Sequence, residues 1–364
     1  MTRRVANFSP GPAVLPLAAL EKAQAELLDY AGTGMSIIEH SHRGKEYEAV
    51  HNEAISLLRK LLAIPADYDV LFLQGGASQQ FAVVPMNLLH PGQSADYVVT
   101  GVWAEKALEE AKLLGNARVA ATTVGEGGRY TRVPKASEID LDSKAAYVHI
   151  TTNNTVMGTQ FHEMPDTRDV PVVADMSSDI LWKPIDVSKF GLIYAGAQKN
   201  IGIAGITVVI LRKDLLERTP KKMPKLLRYP TYAENDSLQN TIPVFPMYMM
   251  RNVLRWVKSE GGATAMETRN RTKGDALYAC IDRNAGFYKG PVEKDSRSYM
   301  NVVFRLPTED LEKKFVAEAK KAGMAGLKGH RSAGGIRASI YNAIAPSDVE
   351  TLVQFMDAFA KSNG

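Results

Sequence analysis

Two segments decide the reading: Val172-Val173-Ala174-Asp175-Met176-Ser177-Ser178 and, further along, Leu192-Ile193-Tyr194-Ala195-Gly196-Ala197-Gln198-Lys199-Asn200. Each starts as a short, unbroken apolar run and then gives way to small and polar residues. Unbroken apolar runs, rather than alternating ones, suit strands of a central sheet covered on both faces. The same pattern recurs at 70–73, 97–99, 118–121, 147–150 and 206–211. Helical periodicity fills the gaps, over 46–62, 79–89 and 104–114. In the first of these, Val50, Ala54, Leu57, Leu58 and Leu61 fall on one face. Strands alternating with helices predict an α/β fold with a mostly parallel sheet covered by helices.

Working outward, a helix is expected from Pro16 to about Tyr30, with Leu20, Ala23, Leu27 and Leu28 as its apolar stripe. Residues 221–246 carry prolines without periodicity and read as a long ordered loop. A helix over 248–259 stops at Gly261-Gly262, the expected domain boundary. Beyond it, a helix over 263–283 leads to strands at 301–306 and 336–340, with a helix over 309–322 between them. A last helix is expected to open with the capping box Ser347-Asp348-Val349-Glu350. The organisation expected is a large domain, 16–261, and a smaller α+β C-terminal domain, 262–364, with 1–15 packing on the latter.

Composition narrows the function classes. The chain has 364 residues, 45% hydrophobic and 23% charged, the balance of a globular protein. A net charge of +4, without a Lys/Arg block, argues against nucleic acid. No apolar run approaches the roughly 20 residues of a membrane helix. Arg3 and Arg4 could begin a leader, but Pro10, Pro12 and Pro16 break up the stretch after them, so a cytoplasmic protein is expected. The single cysteine, Cys280, fits a reducing compartment and argues against a structural zinc site. No metal is expected.

Chemistry gathers where strands end. Lys199 follows an apolar strand among small residues, where desolvation lowers an amine's pKa from about 10.4 and prepares it for Schiff-base chemistry. Taken alone, that segment fits a lysine capping a strand edge equally well. Asp175, 24 positions earlier, ends the neighbouring apolar strand, and ligands of open α/β sheets gather at such ends. A carboxylate and a Schiff-base lysine together are what pyridoxal phosphate requires: the carboxylate keeps the ring nitrogen protonated. Gln74-Gly75-Gly76-Ala77-Ser78, between a strand and a helix, offers backbone N–H groups to a phosphate. Neither a Walker loop nor a Gly-x-Gly-x-x-Gly run occurs. Trp103, after a strand end, could stack on a planar cofactor or simply pack. Asn154 and Thr155 could bond a ring hydroxyl or form a polar turn. His42-Arg43-Gly44 and Gly329-His330-Arg331, with Arg337 beyond, could hold two anionic ends of a substrate.

On these residues the chain resembles the phosphoserine aminotransferase family of class V, fold-type I pyridoxal-phosphate enzymes. The segments that carry the resemblance are Asn7-Phe8-Ser9-Pro10-Gly11-Pro12, Ser41-His42-Arg43-Gly44-Lys45-Glu46, Gly196-Ala197-Gln198-Lys199-Asn200, Lys328-Gly329-His330-Arg331 and Gly335-Ile336-Arg337-Ala338-Ser339. The resemblance implies that Lys199 carries the cofactor, Asp175 pairs with its ring nitrogen and Trp103 stacks on it. Thr155 and Gln198 would contact it, and Ala77 and Ser78 would hold its phosphate. Asn240 and Thr241 would reach that phosphate from the other subunit of a homodimer. Arg337 would bind the substrate α-carboxylate, with Ser9 near it. His42, Arg43, His330 and Arg331 would grip the distal anion, partly across the dimer.

The implied reaction moves an amino group between phosphoserine and 2-oxoglutarate, giving 3-phosphohydroxypyruvate and glutamate in serine biosynthesis. In some bacteria the family also uses 4-phosphohydroxy-L-threonine in pyridoxine biosynthesis. Two departures stand out: some relatives have arginine where this chain has Ser78, and some have an acidic residue where it has Asn154. Of the alternatives, a cysteine desulfurase needs a mobile reactive thiol, and Cys280 lies in an apolar helical setting. A serine–glyoxylate type aminotransferase is harder to exclude; the paired His-Arg segments argue against it, since serine has no distal anion. A non-catalytic phosphate-ligand binder leaves Lys199 and Asp175 unexplained.

Overall fold

The computed structural model describes residues 4–364; Arg3 lies outside them. A two-residue strand, β1 (Ala6–Asn7), and helices α1 (Leu17–Glu26) and α2 (Lys45–Leu62) precede the central sheet. The sheet comprises β2 (Tyr68–Gln74), β3 (Ser94–Val99), β4 (Asn116–Thr122), β5 (Val148–Thr151), β6 (Val172–Asp175), β7 (Leu192–Gly196) and β8 (Ile206–Arg212). Its spatial order is β2-β8-β7-β6-β5-β3-β4. Only β8 runs against its neighbours β2 and β7; the remaining pairs are parallel. Helices α3 (Ala77–Leu88) and α4 (Val102–Leu114) follow β2 and β3 directly. The expected α/β architecture with a mostly parallel, helix-covered sheet is the one observed.

Alternate residues of each strand face opposite ways, and both faces are dry. Val148, Ile150, Ala174 and Ile193 pack with Leu57 and Leu58 of α2 on one side. Tyr97, Val173, Leu192 and Tyr194 pack with Phe81 and Val84 of α3 and Leu108 of α4 on the other. The chain then forms α5 (Tyr229–Glu234), α6 (Val244–Ser259) and α7 (Gly262–Arg283). β9 (Asn301–Phe304), α8 (Glu309–Lys321), β10 (Met324–Ala325), β11 (Ile336–Ser339) and α9 (Pro346–Asn363) complete it. A further core joins Leu277, Ile281, Val302, Phe304, Phe315 and Leu352 to Phe8 from the N-terminal segment. β1 pairs in parallel with β10 beside it.

Three local expectations fail for physical reasons. α1 ends at Glu26 with Pro16 as its cap rather than its first residue, and Leu27 and Leu28 are 42% and 86% exposed. The stripe continues in sequence, but the chain turns at Ala31 and Gly32, both in the left-handed region. The stretch 221–246 is not all loop. It contains α5, where Pro230 sits in the first turn and its missing N–H costs nothing, and the start of α6. α9 begins at Pro346, one residue before the expected capping serine, so Ser347 lies inside the helix and the capping box does not form. Proline's fixed φ at the first position sets the start instead.

One polar cluster ties the edge of the sheet together. Asp96 on β3 is fully buried and accepts from Arg118 Nε at 2.6 Å and Nη2 at 3.0 Å, and from the Asp142 amide at 2.7 Å. Removing the carboxylate leaves the part-buried Asp142 N–H without its acceptor and the half-buried Arg118 guanidinium with Asp140 alone. Asp96→Ala is therefore expected to cost about 3 kcal/mol of folding stability. A lowered urea midpoint with an unchanged m-value is the expected reading; an unchanged midpoint would refute it.

Candidate active site

A cavity of about 280 Å³ opens at the carboxyl ends of the parallel strands, the position where open α/β sheets bind ligands. It collects Lys199, Asp175, Thr155, Gln198, Trp103, Ala77, Ser78, His330 and Arg337 from segments far apart in sequence.

Lys199 sits in the turn after β7. Its Nζ donates to Thr155 Oγ1 at 2.7 Å. Burial lowers its pKa to about 8, and Arg337 adds to the depression while Asp175 and Asp179 oppose it. Asp175 ends β6, in register with Thr151 on β5 and Tyr194 on β7. Burial raises the pKa of its carboxyl. The Ser177 amide, which donates to Oδ1 at 2.9 Å, and the Lys199 charge work against that rise. The site thus holds an amine near its neutral form beside a carboxylate supported by donors.

α3 begins at the cavity. Gly75, at φ +96°, turns the chain out of β2, and Gly76 caps the helix without a side-chain bond. The first-turn amides of a helix have no intrahelical acceptor, and Gly76, Ala77 and Ser78 line the wall. Trp103 opens α4 with its ring at the cavity, its buried Nε1 lacking a partner and Lys106 Nζ 4.9 Å from its ring centre.

Arg337, on β11, is 5% exposed. Its Nη1 donates to the Thr155 carbonyl at 3.2 Å, and its Nε has no partner. His330 lines the same wall, its Nδ1 2.7 Å from Ser332 Oγ. Burial lowers the His330 pKa, and Arg337, Arg331 and Lys106 lower it further.

Six residues singled out from the sequence do not line the cavity of this chain: Ser9, His42, Arg43, Arg331, Asn240 and Thr241. Ser9 is next to Pro10, which does. His42 is buried with Nε2 unpartnered, while Arg43 and Arg331 are exposed. Asn154 has a different task from the one weighed for it. It is buried behind the wall, and its Nδ2 donates to Thr100 Oγ1 and Thr159 Oγ1, both at 3.0 Å, fixing the turn that carries Trp103.

Other cavity residues escaped the sequence reading. Gly11 lies against the lysine stem: a Cβ there would stand 3.3 Å from Lys199 Cγ, at φ +142°. Its flanking prolines were the available signal. Thr151 lines the cavity with a buried Oγ1 that has no partner. The alternation Tyr147, His149, Thr151 would have placed it on the face of Asp175.

The unpartnered Thr151 Oγ1, Trp103 Nε1 and Arg337 Nε, the first-turn amides of α3, and the Lys199–Asp175 pair together fit pyridoxal phosphate with an anionic substrate. The comparisons with known proteins agree. The class-V aminotransferase family model matches residues 5–352. The chain is 55% identical over 364 residues to a phosphoserine aminotransferase of Niallia circulans, with all of both chains covered. The phosphoserine aminotransferase from Bacillus circulans subsp. alkalophilus superposes with a TM-score of 0.96 at 55% identity, covering 99% of each chain. The PLP-bound phosphoserine aminotransferase of Trichomonas vaginalis superposes at 0.92 and 38% identity, covering 97% of this chain and 100% of that one. The chain is a pyridoxal-phosphate-dependent aminotransferase of class V. Within that class it belongs to the phosphoserine aminotransferase family.

The Lys199 pKa has a measurable consequence. Only the neutral amine can attack an aldehyde, so pyridoxal phosphate uptake by the apoprotein should accelerate with rising pH and level off above about 8. Arg337→Met removes a nearby positive charge and should move that midpoint upward. Stopped-flow absorbance across pH reads both. A rate that still climbs tenfold per unit beyond pH 9 would show that Lys199 is not depressed.

Proposed function

We propose that this chain catalyses reversible amino transfer between O-phospho-L-serine and 2-oxoglutarate, yielding 3-phosphohydroxypyruvate and L-glutamate, in serine biosynthesis. The observation that carries the reading is Arg337, a buried guanidinium in the cavity wall with no acidic partner among the described residues. A buried cation left so is costly unless a ligand anion completes it. An amino or keto acid brings an α-carboxylate to that place.

The roles follow from position. Pyridoxal phosphate, when bound, supplies an aldehyde for the incoming amine and a ring that delocalises the electrons left at Cα. Ala77 and Ser78 would offer amides to its phosphate, and Trp103 would cover its ring. Gln198 and Thr155 would contact it, and Asp175 would keep its ring nitrogen protonated. Lys199 would hold the cofactor and then carry the proton on and off Cα, a task suited to a group titrating near neutrality. Arg337 orients the α-carboxylate, with Ser9 close by. His330 faces the remaining space and, with Arg331, would meet the distal anion.

The reading includes a homodimer. His42 with an unpartnered Nε2, exposed Arg43, and Asn240 with Thr241 all lie off this chain's cavity, as residues serving the partner's site would. Exposed Leu17, Leu28 and Ile38, at 50%, 86% and 54%, offer apolar area that a second copy could cover. The reading also divides the chain into a cofactor-binding part, 16–261, and a smaller part, 262–364; the pairing of β1 with β10 supports assigning 1–15 to the latter. Among the described residues no helix is long and apolar enough to cross a membrane, and a cytoplasmic location fits the reading.

Titrating the yellow protein with phospho-L-serine, with L-serine as control, tests the substrate. Phosphoserine should bleach the visible band at concentrations where serine leaves at least nine-tenths of it. Equal responses would sink the distal-anion assignment. Lys199→Ala should abolish turnover; a variant that keeps it would remove the lysine from the mechanism.

A further inference from the structure

The face of the sheet beneath α3 holds polar groups to which the proposed mechanism gives no role. Registered neighbours and alternate residues place Tyr194, Asp175, Thr151, His149 and Tyr97 on one side of adjoining strands. His149 is 2% exposed, and its Nε2 lies 2.8 Å from the Tyr194 hydroxyl. Its ring stacks on Tyr97, with centroids 4.9 Å apart and planes 18° apart. Its Nδ1 is buried without a partner. Tyr194 is the registered neighbour of Asp175 on β7, on the same face, and its hydroxyl acts to lower the pKa of that carboxyl. A polar pair in so apolar a layer is costly unless its bonds are used.

The proton positions follow from the unpartnered nitrogen. With its proton on Nδ1, His149 would bury an unpaired N–H, which folded proteins rarely tolerate; with the proton on Nε2, only a lone pair is left over. Nε2–H therefore donates to Tyr194, whose own O–H is freed to donate towards Asp175. Burial keeps His149 neutral, with its pKa lowered to about 3, so this direction persists through the working pH range.

We propose that Tyr194 and His149 are positioning residues for the cofactor: His149 orients the Tyr194 hydroxyl so that it donates to Asp175 and keeps that carboxylate ionised against the pyridine ring nitrogen. The inference rests on the assignment of Asp175 to the cofactor ring. It concerns side chains behind the site wall; neither His149 nor Tyr194 lines the cavity.

The test is pyridoxal phosphate binding to the apoprotein, followed by fluorescence quenching and by the visible spectrum of the loaded protein. Tyr194→Phe keeps the ring and removes the donor. A hydrogen bond to a charged group supports roughly a tenfold change in affinity, so this variant should bind at least that much more weakly and show altered proportions of the visible bands. Tyr147→Phe is the packing control: it deletes a buried hydroxyl of the same layer, bonded to Tyr97 at 2.8 Å, and should bind within about twofold of the parent. His149→Gln retains an N–H for Tyr194 and should resemble the parent, whereas His149→Leu should resemble Tyr194→Phe. Parent-like affinity and spectrum in Tyr194→Phe, or equal losses in Tyr147→Phe, would overturn the proposal. A parent chain that takes up no pyridoxal phosphate would instead overturn the underlying assignment of Asp175.

Discussion

The site depends on an opposition between one amine and one carboxyl group under burial. Taking either from water favours its neutral form, and that is the direction in which both Lys199 and Asp175 move. Each then holds the other back: the lysine charge lowers the Asp175 pKa and the carboxylate raises that of Lys199. A wetter cavity would leave a fully protonated lysine unable to act as a nucleophile or base. A drier one without donors would neutralise the aspartate. The Ser177 amide on Asp175 and the Thr155 hydroxyl on Lys199 settle the intermediate state.

The fold supplies that state by registering strands. Thr151, Asp175 and Tyr194 are neighbours because β5, β6 and β7 are parallel and end together. Lys199 comes from the turn just beyond β7, on the way to the antiparallel β8. The N-terminal segment then closes the lysine side: the Ala13 amide donates to the Gln198 carbonyl at 2.9 Å, and Gly11 lies on the lysine stem. A side chain at residue 11 would push on Lys199, the group whose placement matters most. Arg337 arrives from β11, so it and Lys199 are carried by different cores.

The sheet and its strand-end chemistry were readable because both are local. An apolar run ending in Asp175, another ending before Lys199, and Gly75-Gly76 between strand and helix each need only a few residues to be recognised. What was hidden depends on distant partners. Nothing near Gly11 says that Lys199 packs on it, and nothing near Asn154 says that it braces Thr100. Leu27 and Leu28 continue a helical stripe that the turn at Ala31 and Gly32 cuts short. The capping box at Ser347 lost to a proline one position earlier. From its own neighbours Arg337 read as one cation among several, and only the family resemblance singled it out; its lack of an acidic partner among the described residues is a property of three dimensions.

That lack of a partner also bears on the proposed function, under which one pocket would serve two different anions. Burial lowers the His330 pKa, and the positive charges of Arg337, Arg331 and Lys106 lower it further. A bound anion reverses the sign of that field and favours protonation of the imidazole. A phosphate, carrying more charge than a carboxylate, favours it more. On the proposed reading the histidine would match its charge to the ligand, neutral or cationic, while Arg337 would stay on the α-carboxylate common to the proposed substrates. On that reading, a titrating donor beside permanent cations would let the site accept both phosphate and carboxylate without overbinding either.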